Sequence, residues 1–138
     1  MSPARSALLL AGLMASAGVA HLAAPRQFDS IVPRSLPGSP RAWTTASGVA
    51  ELTLAAGLAL PATRRVSAQA TALFLAGVFP ANVKMAYDWR HRSTTAKAMA
   101  YARLPLQVPL VLWACHAGRQ DTRRGVEGGN GRSGAARS

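Results

Sequence analysis

Four long apolar segments dominate the hydrophobic pattern of this 138-residue chain. They occupy residues 6–24, 42–60, 66–83 and 99–116. A helix needs about 20 apolar residues to cross a bilayer, and each segment is close to that length. The connections between them are short, as in bundles whose neighbouring helices are antiparallel. The pattern therefore predicts an all-α protein, in which four transmembrane helices form an up-down-up-down bundle with both termini on one side.

The pattern also divides the chain into a helical domain and a tail. The four segments place a single transmembrane domain at residues 1–117. Residues 118–138 are rich in glycine and arginine and contain almost nothing apolar, which predicts a disordered basic tail. The first segment has a second interpretation, a signal peptide cleaved near Ala15-Ser16-Ala17 after the basic Arg5. Its length and its rows of small residues favour a retained helix.

Prolines mark where the predicted helices end or bend. Pro61 ends the second segment, and Pro80 lies inside the third, where it removes one backbone hydrogen bond and predicts a kink. The fourth segment contains Pro105 and Pro109, so we expect it to be the least regular helix. The proline-rich connection after the first segment includes residues 28–33, which are expected to form a short amphipathic turn at the membrane interface.

Charge and cysteine content exclude several classes of protein. Sixteen Lys and Arg against five Asp and Glu give a net charge of +11. These cations flank apolar segments and are not interleaved with aromatic residues, which indicates contact with a lipid bilayer and argues against nucleic acid. Eight of them fall on each side of the predicted membrane, so charge does not set the orientation. The single cysteine, Cys115, excludes an intramolecular disulfide and a CxxC pair.

Glu51 is the most informative polar residue, because it lies inside the second apolar segment. A charge in hydrocarbon costs about 3 kcal/mol even on insertion scales, so Glu51 requires a partner or a wet cavity. A helical rise of 1.5 Å per residue places Glu51 and Gln107 at about 14 and 12 Å from the same membrane face. His21 and Asn82 lie at about 5 and 7 Å, and Arg103 is one turn shallower than Gln107. We therefore expect these five residues to form one buried polar site.

Two interpretations of this site remain open. Glu51 and Arg103 either form a buried ion pair that only fixes helix packing, or Glu51 exchanges protons with a pKa set by burial and by Arg103. Asn82 is expected to cap the backbone opened by Pro80, and His21 to be a hydrogen-bonded packing residue. The spacing of histidines and carboxylates supports neither a metal site nor a bis-histidine haem.

Short motifs on successive segments resemble the DoxX family of small four-helix bacterial membrane proteins. The resemblance covers about residues 10–117 and runs through Gly18-Val19-Ala20-His21, Ser47-Gly48-Val49-Ala50-Glu51-Leu52, Val78-Phe79-Pro80-Ala81-Asn82 and Arg103-Leu104-Pro105-Leu106-Gln107. It implies a multi-pass protein of the bacterial inner membrane with cytoplasmic termini. His21, Glu51, Asn82, Arg103 and Gln107 are the positions that match the family.

The resemblance also implies a redox association, since some DoxX proteins are linked to thiosulfate:quinone oxidoreductase or to thiol-stress complexes. We therefore expect a non-enzymatic or accessory subunit of a membrane redox system, with quinone as a possible ligand and a membrane or soluble redox protein as partner. The lone Cys115 argues against a thiol relay within one subunit. The alternatives are a small-solute or proton-coupled transporter that acts as a homo-oligomer, and a purely structural membrane partner.

Overall fold

The chain is entirely helical wherever the structure assigns regular backbone. A computed structural model describes the backbone of residues 2–134 and the side chains of residues 2–119 apart from Ala96 and Met99. Its helices are α1 (Pro3–Ala23), α2 (Pro25–Asp29), α3 (Pro40–Ala59), α4 (Arg64–Asp88) and α5 (Thr94–Gly134), with one 3₁₀ turn at Trp89–His91. The prediction of an all-α protein is confirmed. Helix α2 lies within the proline-rich connection, where only a short turn was predicted.

Two of the long helices begin at a serine followed by a proline. Ser2 precedes α1 and its hydroxyl accepts a hydrogen bond from the Arg5 amide at 3.3 Å. Ser39 caps α3 in the same way, through the Ala42 amide at 3.2 Å. A proline at the first helical position has no amide hydrogen to leave unsatisfied and already has a helical φ angle. These short local signals fix where both helices start.

The turn between α3 and α4 is held by a buried arginine. Arg64 donates from Nε to the Leu58 carbonyl at 3.0 Å and from Nη2 to the Ala59 carbonyl at 3.2 Å. Both carbonyls belong to the last turn of α3, where a cation is favourable and the backbone lacks helical partners. The two helices are therefore joined tightly and run in opposite directions.

The four long helices pack as neighbours in an antiparallel ring. Helix α1 packs mainly against α3, and α4 packs mainly against α5, while α3 also contacts α4. The ring closes where Trp113 of α5 donates its indole hydrogen to the Ser6 hydroxyl of α1 at 2.7 Å. The main core lies at this end of the bundle and consists of Leu10, Ala11, Met14, Ala55, Leu58, Ala68, Ala72, Ala114 and Ala117. The opposite end, below the connection between α1 and α3, is less filled.

Two of the helices have the length and apolarity of membrane spans. Among the described residues these are Pro3–Ala23 and Arg64–His91. Only 33% and 22% of their most apolar windows are buried, so most of their apolar side chains face outward. Helix α3 contains Glu51 together with several hydroxyl side chains, which lower its hydropathy. The structure thus supports two of the four predicted transmembrane helices by length and composition.

The C-terminal part of the chain differs from the prediction. A disordered tail was expected from residue 118, whereas the backbone of α5 remains helical to Gly134. No proline follows Pro109, and residues 119–124 are mostly good helix formers, which lets the helix continue past residue 118. Residues 125–134 are rich in glycine, and local helix propensity does not explain their helical backbone. The last four residues of the predicted tail, 135–138, lie outside the described residues.

Candidate functional site

All five residues of the predicted polar site line one cavity. The cavity has a volume of about 390 Å³ and lies at the end of the bundle covered by the connection between α1 and α3. Its ionisable and amide side chains are those of His21, Glu51, Asn82, Arg103 and Gln107. Most of the remaining wall is apolar and includes Leu13, Phe28, Val32, Trp43, Val78 and Leu106. The result is an apolar chamber with polar groups from all four long helices.

His21 and Glu51 are in direct contact across the interface of α1 and α3. Nδ1 of His21 lies 2.8 Å from Oε2 of Glu51, and both side chains are largely buried. The two helices approach closely at Gly18 and Gly48: a Cβ added to Gly18 would lie 2.9 Å from the Gly48 carbonyl oxygen. Only hydrogen at these positions permits that approach. The two glycines therefore place the imidazole beside the carboxylate.

One hydrogen on His21 faces two acceptors. Nδ1 also lies 2.9 Å from the carbonyl oxygen of Ala17. A carbonyl oxygen only accepts, so Nδ1 carries a hydrogen, and that hydrogen points to Ala17. Oε2 of Glu51 is consequently buried without a well-directed donor among the described residues. Its close contact with Nδ1 is electrostatic, and the carboxylate keeps unused capacity to accept a hydrogen bond.

Arg103 does not pair with Glu51, which corrects one of the two interpretations drawn from the sequence. Its side chain is exposed at the edge of the cavity, and Nη1 lies 3.9 Å from the sulfur of Met85. Glu51 instead takes His21 as its charged neighbour. The position of Arg103 along α5 places it at the same end of the bundle as Glu51. The rotation of α5 about its axis determines the direction in which the side chain points, and depth alone does not give that rotation. Its guanidinium remains available to a molecule in the cavity.

Asn82 and Gln107 join α4 to α5 near Pro80. Nδ2 of Asn82 donates to Oε1 of Gln107 at 2.8 Å. Nε2 of Gln107 donates to the carbonyl oxygen of Leu75, in the turn before Pro80. The sequence predicted that Asn82 caps the backbone opened by the proline, which is the Ala76 carbonyl. Asn82 instead bonds Gln107, and Gln107 bonds the Leu75 carbonyl one residue earlier.

The connection between α1 and α3 folds over the cavity. The ring of Phe28 in α2 lies against the imidazole of His21, with ring centroids 4.0 Å apart. Asp29 pairs with Nε of Arg41 at 2.9 Å, and the indole of Trp43 donates to the Pro37 carbonyl at 2.7 Å. These contacts attach the connection to the start of α3. They close one side of the chamber with aromatic and proline side chains.

The charge of Asp29 helps to hold this cover in place. Desolvation raises the pKa of its carboxyl, but the neighbouring Thr44 hydroxyl, the hydrogen bond with Arg41 and the positive charge of Arg41 outweigh that effect. The pKa of Asp29 is therefore lower than its ordinary value. The carboxylate stays ionised at neutral pH and remains a partner for Arg41.

Sequence reasoning missed the contribution of the start of α3 to the cavity. Thr44 and Ser47 line it together with Glu51. These three residues are spaced at i, i+3 and i+7, which places them on one face of a helix. This spacing can be read from the sequence, and it indicates that Glu51 belongs to a polar face of α3. Within the described residues, no group of three or more histidine, cysteine, aspartate or glutamate side chains is arranged to hold a metal ion.

A comparison with protein families assigns the chain to a family. The family model of a domain of unknown function, DUF8561, matches residues 10–118. The chain belongs to the DUF8561 family. Neither a curated protein nor a solved structure matches it.

The DUF8561 match includes the whole candidate site. Residues 10–118 contain the five polar residues of the cavity, the glycine contact between α1 and α3 and the connection that covers the chamber. The polar part of α5 beyond residue 118 lies outside the match. The cavity is therefore part of the DUF8561 domain itself.

Proposed function

We propose that this protein is a four-helix integral protein of the bacterial inner membrane that binds a quinone-type molecule in the cavity, as an accessory subunit of a membrane redox system. The observation that carries the proposal is the cavity itself, which combines an apolar wall with the Glu51–His21 pair and the guanidinium of Arg103. An amphiphilic ligand with a flat polar head and an apolar chain matches that distribution of groups. The proposed role is to hold such a molecule for a partner protein.

Outward-facing apolar side chains support four membrane-spanning helices. Each long helix exposes at least one large hydrophobic residue by half or more: Leu9 at 57%, Val49 at 52%, Leu73 at 75% and Leu112 at 63%. Soluble monomers rarely expose apolar surface on every side, because contact with water is unfavourable there. A bilayer around the bundle would cover all four faces, including those of α3 and α5.

The size and chemistry of the cavity support a quinone-type ligand. A volume of about 390 Å³ is within the usual range for small-molecule pockets, which are mostly apolar with a few polar groups. The guanidinium of Arg103 is a hydrogen-bond donor suited to an oxygen on the ligand ring. The resemblance to DoxX proteins, some of them linked to quinone reactions, points to the same ligand class.

A proton-coupled transporter is the second candidate. Its specific support is the buried Glu51 carboxylate together with a helix, α4, that contains Pro80. Four helices are few for alternating access, so this function would require a homo-oligomer. A monomer in a mild detergent would count against transport and leave quinone binding unaffected.

A bulky residue in the cavity wall tests the proposed function. Ala81 lines the cavity on α4, so Ala81→Phe should occupy ligand space without changing a polar group. Ala76 is exposed on the same helix and is absent from the cavity wall, which makes Ala76→Phe the matched control. We expect a tritiated decyl-benzoquinone to bind the native protein and the control in lipid nanodiscs, and to bind Ala81→Phe at least about tenfold more weakly, the loss that corresponds to 1.4 kcal/mol.

Scintillation proximity measures this binding, with empty nanodiscs as the blank. Equal binding to all three proteins would contradict the proposed site, because the cavity would then play no part. Binding to none of them, with the native protein folded, would contradict the proposed function.

A further inference from the structure

The carboxylate of Glu51 requires a hydrogen-bond donor that the surrounding protein does not supply. Glu51 is only 7% exposed, and its Oε2 has no well-directed donor among the described residues. The nearest hydrogen, on Nδ1 of His21, points to the Ala17 carbonyl. A buried polar atom without a partner is unfavourable by about 1–3 kcal/mol. A ligand that donates a hydrogen bond here would remove that penalty.

The hydrogen on Nδ1 of His21 determines whether Oε2 of Glu51 donates or accepts a hydrogen bond. Nδ1 carries a hydrogen and lies 2.8 Å from Oε2. A protonated Nδ1 has no free lone pair, so it could not accept a hydrogen carried by Oε2 at that distance. Oε2 is therefore an acceptor, and Glu51 favours a ligand that presents a hydroxyl group.

The two redox forms of a quinone differ in just this property. A quinone carbonyl only accepts hydrogen bonds, whereas a hydroquinone hydroxyl donates one and also accepts. The guanidinium of Arg103 can donate to the oxygen of either form, so it does not discriminate between them. Glu51 can accept from the hydroquinone alone. Discrimination therefore depends on Glu51.

We propose that the cavity selects the reduced form of its ligand, in which a hydroquinone hydroxyl donates a hydrogen bond to the Glu51 carboxylate. This selectivity rests on the proposed function. The protein would then hold the quinol in preference to the quinone. A site that prefers the reduced form raises the reduction potential of the bound quinone, since it stabilises the product of reduction.

Three ligands with the same ring and decyl chain test this selectivity: the hydroquinone, the benzoquinone and the hydroquinone dimethyl ether, which has lost both donors. Binding is measured without oxygen in nanodiscs that contain the native protein, Glu51→Gln or Asp88→Asn. Asp88→Asn is the matched control, because Asp88 is an exposed carboxylate at the end of α4 that does not line the cavity. We expect the native protein and the control to bind the hydroquinone about tenfold more tightly than the benzoquinone or the ether, within the range for one unsatisfied buried group.

Glu51→Gln should bring the affinities for hydroquinone and benzoquinone within about threefold of each other, because the glutamine amide donates to a carbonyl as well as accepting from a hydroxyl. Equal affinities in the native protein, or a preference that survives Glu51→Gln, would overturn the selectivity while leaving quinone binding in place. If none of the three ligands binds the native protein, the proposed function fails as well. If Glu51→Gln does not fold, the ether and benzoquinone comparisons with the native protein still decide the matter.

Discussion

Gly18→Ala is expected to destabilise the bundle and to weaken ligand binding together. A Cβ at this position would lie 2.8 Å from Cγ of Leu52 and 2.9 Å from the carbonyl oxygen of Gly48. The second neighbour is backbone, so α1 and α3 must move apart. Overpacking of this kind costs about 1–3 kcal/mol. The separation would also pull His21 away from Glu51, which lies across the same interface.

Gly12→Ala on the same helix is the control, since nothing lies within 4 Å of a Cβ built there. Alanine is the better helix former, so this variant should be at least as stable as the native protein. Thermal unfolding in a mild detergent measures stability, and binding of the decyl-hydroquinone measures the site. Gly18→Ala with native stability and native binding would show that the close approach of α1 and α3 is not required.

Gln107→Leu is the second substitution with a large expected effect. It removes the hydrogen bonds that Gln107 makes with Asn82 and with the carbonyl of Leu75. The Asn82 amide and a backbone carbonyl next to Pro80 would then be left without these partners, at a cost of about 1–3 kcal/mol in unfolding free energy. We expect a lower melting temperature and a less rigid contact between α4 and α5.

A double variant separates this effect from a simple loss of polarity. Asn82→Leu combined with Gln107→Leu replaces both partners, so it should be less destabilised than the sum of the two single variants. Gln69→Leu, at an exposed position of α4, should have little effect. Additive losses in the double variant would mean that Asn82 and Gln107 act independently.

Much of the fold followed from the hydrophobic pattern, because apolar length and proline position determine where helices begin and end. The rise per residue then gave the depth of each polar side chain, so His21, Glu51 and Gln107 were expected at one end of the bundle, and all three line the same cavity. At the C-terminus the glycine- and arginine-rich composition predicted disorder, whereas the backbone of α5 continues to Gly134. The ends of a helix and the depth of its side chains are each set within that single helix.

The partners inside the cavity depend on two helices at once, and the pattern did not determine them. Which side chain Glu51 meets is set by the rotation of α1 about its axis and by the approach of Gly18 to Gly48. The sequence therefore suggested Arg103, whereas the structure pairs Glu51 with His21. The hydrogen bond at the backbone before Pro80 also depends on two helices, because Gln107 of α5 donates to the Leu75 carbonyl of α4.

Photolabelling with an azido-substituted decyl-benzoquinone tests most directly whether the cavity is a quinone site. The native protein in nanodiscs is irradiated with the probe, digested and mapped by mass spectrometry. The account predicts labels on wall residues such as Phe28, Trp43 or Val78, which excess unlabelled decyl-hydroquinone suppresses. Labels confined to outward-facing residues such as Leu73 and Leu112, and unchanged by the competitor, would contradict it.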